Sequence, residues 1–182
     1  ASGIFPGASF AIVNGSAVQK HVYGYNRLKP EPVLLQADMA YDLASVSKVV
    51  GTGTLMINLI LSGKVGLDDL LTTQYPEFEG SGGASLTIRQ LLTHTSGIDP
   101  FIKNRNTLPY DALRAALNQV TVTADKTFHY TDVNFILLGF MLETIYAQDL
   151  ADILQEQVFT PFKMIHTGFT ALDRTVATAW DL

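Results

Sequence analysis

Met39-Ala40-Tyr41-Asp42-Leu43-Ala44-Ser45-Val46-Ser47-Lys48 joins an extended segment to the start of a long apolar helix, and its last four residues set a serine one turn ahead of a lysine. Residues three apart on a helix share a face, with Cβ atoms roughly 5–6 Å apart, so the Lys48 amine can reach the Ser45 hydroxyl. A serine hydroxyl is a poor nucleophile until a neighbour takes its proton, and a lysine is that neighbour only if its own pKa is lowered. A buried helix start supplies the condition: its positive end disfavours the charged amine and favours a developing oxyanion. Serine and lysine are common, so the bare tetrad also reads as a capped helix start with a solvated lysine. Lysine in the first turn opposes the helix dipole, however, and is an odd choice for a plain cap.

Outward from this tetrad the chain orders itself as one hairpin followed by helices. Gly7 to Val13 and Ser16 to Tyr23 read as β-runs joined by Asn14-Gly15, a dipeptide suited to a type I′ turn. Pro30-Glu31-Pro32 marks the loop leading to the extended segment before Ser45. The helix then carries Val49, Leu55, Met56, Leu59 and Ile60 on its apolar positions and stops at Ser62-Gly63. Gly51 and Gly53 inside it cost about 1 kcal/mol each in helix propensity, which predicts a second element packed very close to the nucleophile. Thr87-Ile88-Arg89-Gln90 is a capping box that opens a second helix, ended by Thr93-His94-Thr95-Ser96-Gly97. Asp111 to Gln119 is a third helix, Asp132 caps a fourth through Ile145, and Asp149 to Phe159 is a fifth, closed by Pro161. No repeat, low-complexity tract or linker marks an independent second domain.

A two-stranded hairpin is marginal alone. After Phe159 only Met164 to Ala171 has an extended pattern, and the sequence runs out in apolar Ala179-Trp180-Asp181-Leu182. The expectation is therefore an N-terminal part of a longer protein, or a sheet completed by a second chain or a C-terminal continuation.

The 182 residues, 47% hydrophobic and 16% charged, suffice for a buried core. A net charge of −5 with scattered Lys and Arg gives no basic footprint, so no nucleic-acid partner is expected. Gly51, Thr52, Gly53, Thr54 and Asn58 interrupt the longest apolar stretch well short of the roughly 18 residues of a transmembrane segment. The absence of cysteine excludes disulfides and thiolate chemistry, and leaves the compartment open. No signal peptide is visible at Ala1-Ser2-Gly3, which lacks a charged start and apolar core, and a trimmed product would read the same. His21, His94, His129 and His166 fall at no metal-binding spacing, so no metal site is expected.

With Ser45 and Lys48 placed, the rest of the chain resembles the serine β-lactamase and penicillin-binding protein family, above all the class C β-lactamase-like branch with its D-alanyl-D-alanine peptidases and esterases. The resemblance is carried, in order, by Pro6-Gly7-Ala8, Tyr41 to Lys48, Gly63-Lys64-Val65-Gly66-Leu67-Asp68-Asp69, Thr87 to Gly97, Phe128-His129-Tyr130-Thr131-Asp132, Leu138-Gly139 and Thr167-Gly168-Phe169. It implies an α+β, β-lactamase/transpeptidase-like fold: an antiparallel sheet flanked by helices, with a helical subdomain. Residues 1–182 would be the N-terminal portion of one catalytic domain lacking the later strands: hairpin and nucleophile helix over 1–60, a mainly helical region over 61–160, and a return toward the sheet over 161–182.

The same resemblance implies roles. Ser45 is the nucleophile, Lys48 its partner, kept neutral or sharing a proton with Tyr130, and Tyr130 relays the serine proton to the leaving group. Tyr130-Thr131-Asp132 occupies the place of the family's Tyr-x-Asn, with Asp132 as the substrate-binding residue. Asparagine offers an amide donor, whereas an ionised aspartate offers only acceptors, which leans away from efficient β-lactam hydrolysis. Taken apart from the tetrad, Asp132 also reads as a helix cap and Tyr130 as a packed aromatic. The family's third motif, Lys or His followed by Thr/Ser-Gly on a strand, has no counterpart. His166-Thr167-Gly168 has its letters, but falls in a segment like the family's Pro-Leu-Gly-Met…Thr-Gly-Phe, here Pro161-Phe162-Lys163-Met164…Thr167-Gly168-Phe169. His94 is expected to shape its loop rather than to catalyse.

The implied activity is a serine hydrolase acting through an acyl-enzyme, with no cofactor, on a small-molecule or peptidoglycan-type substrate: a D-Ala-D-Ala peptide, a β-lactam or an ester. The compartment stays open, and the resemblance alone favours an exported or cell-surface setting. The rivals are a catalytically silent binding or regulatory member of the same fold, and an incomplete fragment that needs another chain.

Overall fold

Two β-type runs around a glycine turn form the first two strands, β1 (Gly7–Asn14) and β2 (Ala17–Arg27), paired antiparallel from Gly7↔Gly24 to Asn14↔Ala17. The computed structural model describes residues 5–78, 80, 85–99, 102, 105–170 and 175–176. Because Asn14 pairs with Ala17, the turn centres on Gly15-Ser16, not on the expected Asn14-Gly15. Of those two only Gly15 has positive φ, at 59°, so one left-handed residue suffices where type I′ would need two. A short strand absent from the sequence reading, β3 (Val33–Leu34), adds to β2 and makes the sheet three-stranded. Phe10 stacks on His21 across β1 and β2 at 4.9 Å, while Ile12, Val13, Val18 and Tyr23 are exposed.

The described residues divide into two compact units, residues 1–44 with 168–182 and residues 45–167. In the first, besides the sheet, Ala40 pairs in parallel with Thr175 and accepts a hydrogen bond from the Val176 N–H at 2.8 Å. Asp42 Oδ1 accepts from the Ala44 N–H at 2.8 Å, a tight turn with Ala44 in left-handed backbone just before Ser45. The segment expected to extend over Met164 to Ala171 instead makes turns and bends as far as Thr170; Ala171 and the apolar ending at Ala179-Trp180-Asp181-Leu182 lie outside the described residues.

The second unit is helical. The nucleophile helix opens as a wide π-helical turn, Lys48–Gly53, and continues as α1 (Thr54–Leu61). The interior glycines have separate reasons. A Cβ at Gly51 would stand 3.2 Å from a Leu154 methyl, which is the close neighbour expected; at Gly53 it would stand 2.9 Å from the Lys48 carbonyl of its own wide turn. Val49, expected on the apolar face, is 72% exposed because the π turn rotates it off that face. Next come α2 (Leu71–Gln74), which sequence reading missed, and α3 (Ile88–Leu92). Both hydrogen bonds of the Thr87/Gln90 capping box are present on α3.

A 3₁₀ turn (Arg105–Thr107) precedes α4 (Tyr110–Asn118) and α5 (Asp132–Tyr146); α6 (Leu150–Leu154) then widens into a π turn, Gln155–Phe159. Asp149 precedes α6 without a side-chain cap bond. The cap of α5 is Thr131, whose Oγ1 accepts from the Val133 N–H, and not Asp132, which is the first helical residue. Helix α5 buries Val133, Leu137, Leu138, Phe140, Met141 and Leu142 around most of its circumference, as a central helix does. Leu55, Met56 and Leu59 of α1, Leu91 of α3, Leu117 of α4 and Ile153 of α6 complete the core with it. Leu137 is fully buried, so Leu137→Ala is expected to cost about 2–5 kcal/mol in urea unfolding.

Candidate active site

Three separated pieces of sequence, carrying Ser45 with Lys48, Arg105, and Tyr130 with Asp132, meet around the Ser45 hydroxyl within the helical unit. Lys48 Nζ donates to Ser45 Oγ at 3.0 Å, as the three-residue spacing predicts. The Tyr130 hydroxyl, 85 residues away, donates to the same oxygen at 2.8 Å. Asp132 faces Lys48 from the first turn of α5, Oδ1 to Nζ at 2.7 Å, while Arg105 holds its other oxygen, Nη2 to Oδ2 at 3.0 Å. The carboxylate at the helix N-terminus also suits the helix dipole. All four residues expected at the site are thus brought together; Arg105 was missed. Arg105 lies 27 positions before Asp132 in a short 3₁₀ turn, and no local spacing announces that pair.

The electrostatics differ from the expectation for Lys48. Burial pulls its pKa down, its side chain being 16% exposed, but hydrogen bonds to Asp132 and Tyr130 outweigh burial and raise it above the ordinary lysine value. The charged form of Lys48 is therefore favoured at neutral pH, in the direction of the expected alternative in which it shares a proton with Tyr130 rather than of the neutral amine. Asp132 is depressed below the carboxylate range, first by its hydrogen bond to Lys48 and then by the charges of Lys48 and Arg105. Tyr130 is lowered below the phenol range, first by Lys48 and next by Ser45. Lys48 Nζ also lies 5.1 Å from the Tyr130 ring centroid. The group whose basicity is brought toward neutrality is the phenol, not the amine.

His94 lies behind Tyr130, buried, in left-handed backbone at φ 55°. Its ring tilts against the Tyr130 ring at 4.5 Å, with Phe135 at 5.3 Å and Phe128 edge-on at 6.0 Å. Among the described residues no cluster of His, Asp and Glu is arranged to hold a metal ion, and no helix is long and apolar enough to cross a membrane.

A helix-borne Ser-x-x-Lys faced by a tyrosine, in an α+β chain with an N-terminal antiparallel sheet, defines the β-lactamase/transpeptidase-like class. The sequence model of the family described as Beta-lactamase matches residues 1–181, and the chain belongs to that family. Protein flp of Staphylococcus aureus (strain MW2) is 29% identical over 178 residues, covering 92% of this chain and 35% of that protein. Among solved structures, a class C beta-lactamase superposes with TM-score 0.76 at 22% identity, covering 88% of this chain and 45% of its own. A penicillin-binding protein homologue from Caulobacter crescentus gives TM-score 0.73 at 23% identity, over 86% of this chain and 44% of its own. These likenesses establish the β-lactamase/transpeptidase-like fold. The chain spans about a third of the length of flp and under half of those solved structures.

Proposed function

We propose that the full-length protein is a serine hydrolase that acts through an acyl-enzyme on peptide, β-lactam or ester carbonyls, with residues 1–182 as the N-terminal portion of its catalytic domain. The observation that carries this reading is the Ser45 oxygen held at hydrogen-bond distance by both Tyr130 and Lys48. Ser45 Oγ attacks the carbonyl carbon. Tyr130, as phenolate, accepts the serine proton across the 2.8 Å contact and passes it to the departing nitrogen or oxygen. Lys48 stays charged; its ammonium stabilises the phenolate and the negative charge that develops on the substrate oxygen side of the site. The backbone N–H of Ser45, at the start of its helix, is one donor for the oxyanion. Water then releases the acyl group by the reverse proton path.

Asp132 sets the substrate preference. An ionised carboxylate donates no hydrogen bond, and both of its oxygens face cations, so it does not greet a substrate acylamino carbonyl as an amide would. Esters and substrates without that carbonyl are favoured over β-lactams. Asp132→Asn is expected to raise the rate of acylation by a penicillin. The same change removes a hydrogen bond and charge that raise Lys48 and a charge that raises Tyr130, so both pKa values move down. An unaltered ratio of penicillin to ester rates in Asp132→Asn would remove Asp132 from recognition.

The test of the reading is intact-protein mass spectrometry after incubation with a fluorescent penicillin and, in parallel, a p-nitrophenyl ester. A mass gain of one acyl group, faster with the ester, is expected; no gain with either reagent on the full-length protein contradicts the proposal and favours a silent member of the fold.

A further inference from the structure

Tyr130 is half exposed, 49% in relative surface, and at the front only its hydroxyl is held, by Ser45 and Lys48. What holds its ring and its neighbours in the chain comes from behind. His94 grips the residues on either side of Tyr130: its main-chain carbonyl accepts from the His129 N–H at 2.8 Å, and its Nδ1 accepts from the Thr131 N–H at 3.4 Å. Its ring packs on the Tyr130 ring between these two bonds. His94 is itself held. Asn134, fully buried one turn into α5, places Nδ2 3.1 Å from the same Nδ1. The orientation of that amide is set by Ser96, whose hydroxyl donates to Asn134 Oδ1 at 2.7 Å and accepts from the Ile98 N–H at 3.2 Å. With Oδ1 so engaged, the Asn134 amino group must point at the imidazole. Two donors therefore meet Nδ1, which requires an acceptor there and assigns the ring proton to Nε2.

Resting on the reading of Tyr130 as the proton carrier, we propose that His94 is its positioning residue, locked by Ser96 and Asn134. The relay aims the phenol oxygen at Ser45 without touching substrate or the reacting atoms. A neutral imidazole is what the relay needs, because a protonated Nδ1 would confront two donors. Burial first, and then the charge of Lys48, hold the His94 pKa below its ordinary value, in keeping with that need. The physical return is orientation: an error of about 1 Å in a reacting group can slow a step on the order of 10²-fold.

The experiment uses the full-length protein and the variant His94→Asn, since asparagine tolerates left-handed backbone and keeps the carbonyl bond to His129. The acylation rate constant, read from p-nitrophenolate release, is expected to fall about 10- to 10²-fold with little change in KM. In protein labelled with ¹³Cζ-tyrosine, the Tyr130 signal, assigned by its loss in Tyr130→Phe, should titrate closer to the ordinary phenol value near 10 than in the parent. Ser96→Ala, which removes one oxygen from the far end of the relay, serves where His94→Asn shows no cooperative thermal transition, and should shift rate and titration in the same direction by less. Parent rate and an unmoved Tyr130 titration in either folded variant overturn the proposal. If Tyr130→Phe is slow while the relay variants keep the parent rate and titration, this inference alone fails; if Tyr130→Phe reacts at the parent rate, the functional reading fails and the inference with it.

Discussion

Ser45→Ala is expected to abolish acylation, with a loss on the order of 10⁴-fold or more in the rate of ester consumption. No other described hydroxyl contacts both Lys48 and Tyr130, and a methyl group leaves nothing to form the acyl bond. The fold should be untouched, because Ser45 is exposed and none of the core rests on it. Equal thermal transitions beside a lost reaction would separate chemistry from stability. Acylation at the parent rate in the alanine variant would assign the reaction to another group.

Tyr130→Phe should slow acylation about 10²- to 10⁴-fold, the range of a lost general base. The pH profile makes the prediction specific. With the phenol lowered by Lys48 and Ser45, the parent rate rises with pH through a value below the ordinary phenol range; Tyr130→Phe lacks that limb. In Lys48→Ala the first cause of the lowering is gone, so the limb moves up toward about 10 and the neutral-pH rate falls. A parent profile that instead followed a lysine titrating below its usual value would return the base role to Lys48.

The same pair of charges bears on stability. Asp132, depressed in the folded protein, contributes stability that is present above the ordinary carboxylate range and is lost as pH falls through its lowered value. Lys48, raised, contributes below the ordinary lysine value and loses the contribution as pH climbs through its raised one. Asp132 is 40% exposed, so solvent screening keeps the contribution small.

The parts of this fold that local rules govern were legible in the sequence. The opening hairpin follows from two β-type runs around a glycine turn, the α3 start from a capping box whose two bonds span three residues, and the Ser45–Lys48 contact from helical geometry. Convergence of Tyr130 on Ser45 spans 85 residues and was reached only through family resemblance. What stayed hidden depends on partners that no local period records. Arg105 meets Asp132 from a 3₁₀ turn, and the Asp132 carboxylate together with Tyr130 raises Lys48; a helix start alone argues the opposite. Thr131 and Asp132 are adjacent cap-formers, and Lys48 and Arg105 draw Asp132 away from capping, leaving that task to Thr131. Two-residue β3 is too short to show alternation, and the π turn at Lys48–Gly53 moved Val49 off the face that a regular 3.6-residue period assigns it.

The most direct test of the central claim is to locate the acyl group: tandem mass spectrometry of proteolytic peptides from full-length protein quenched during turnover of a p-nitrophenyl ester. The account predicts the added mass on Ser45, within the peptide that also carries Lys48. An acyl group found elsewhere, with Ser45 unmodified under conditions of rapid turnover, would contradict it.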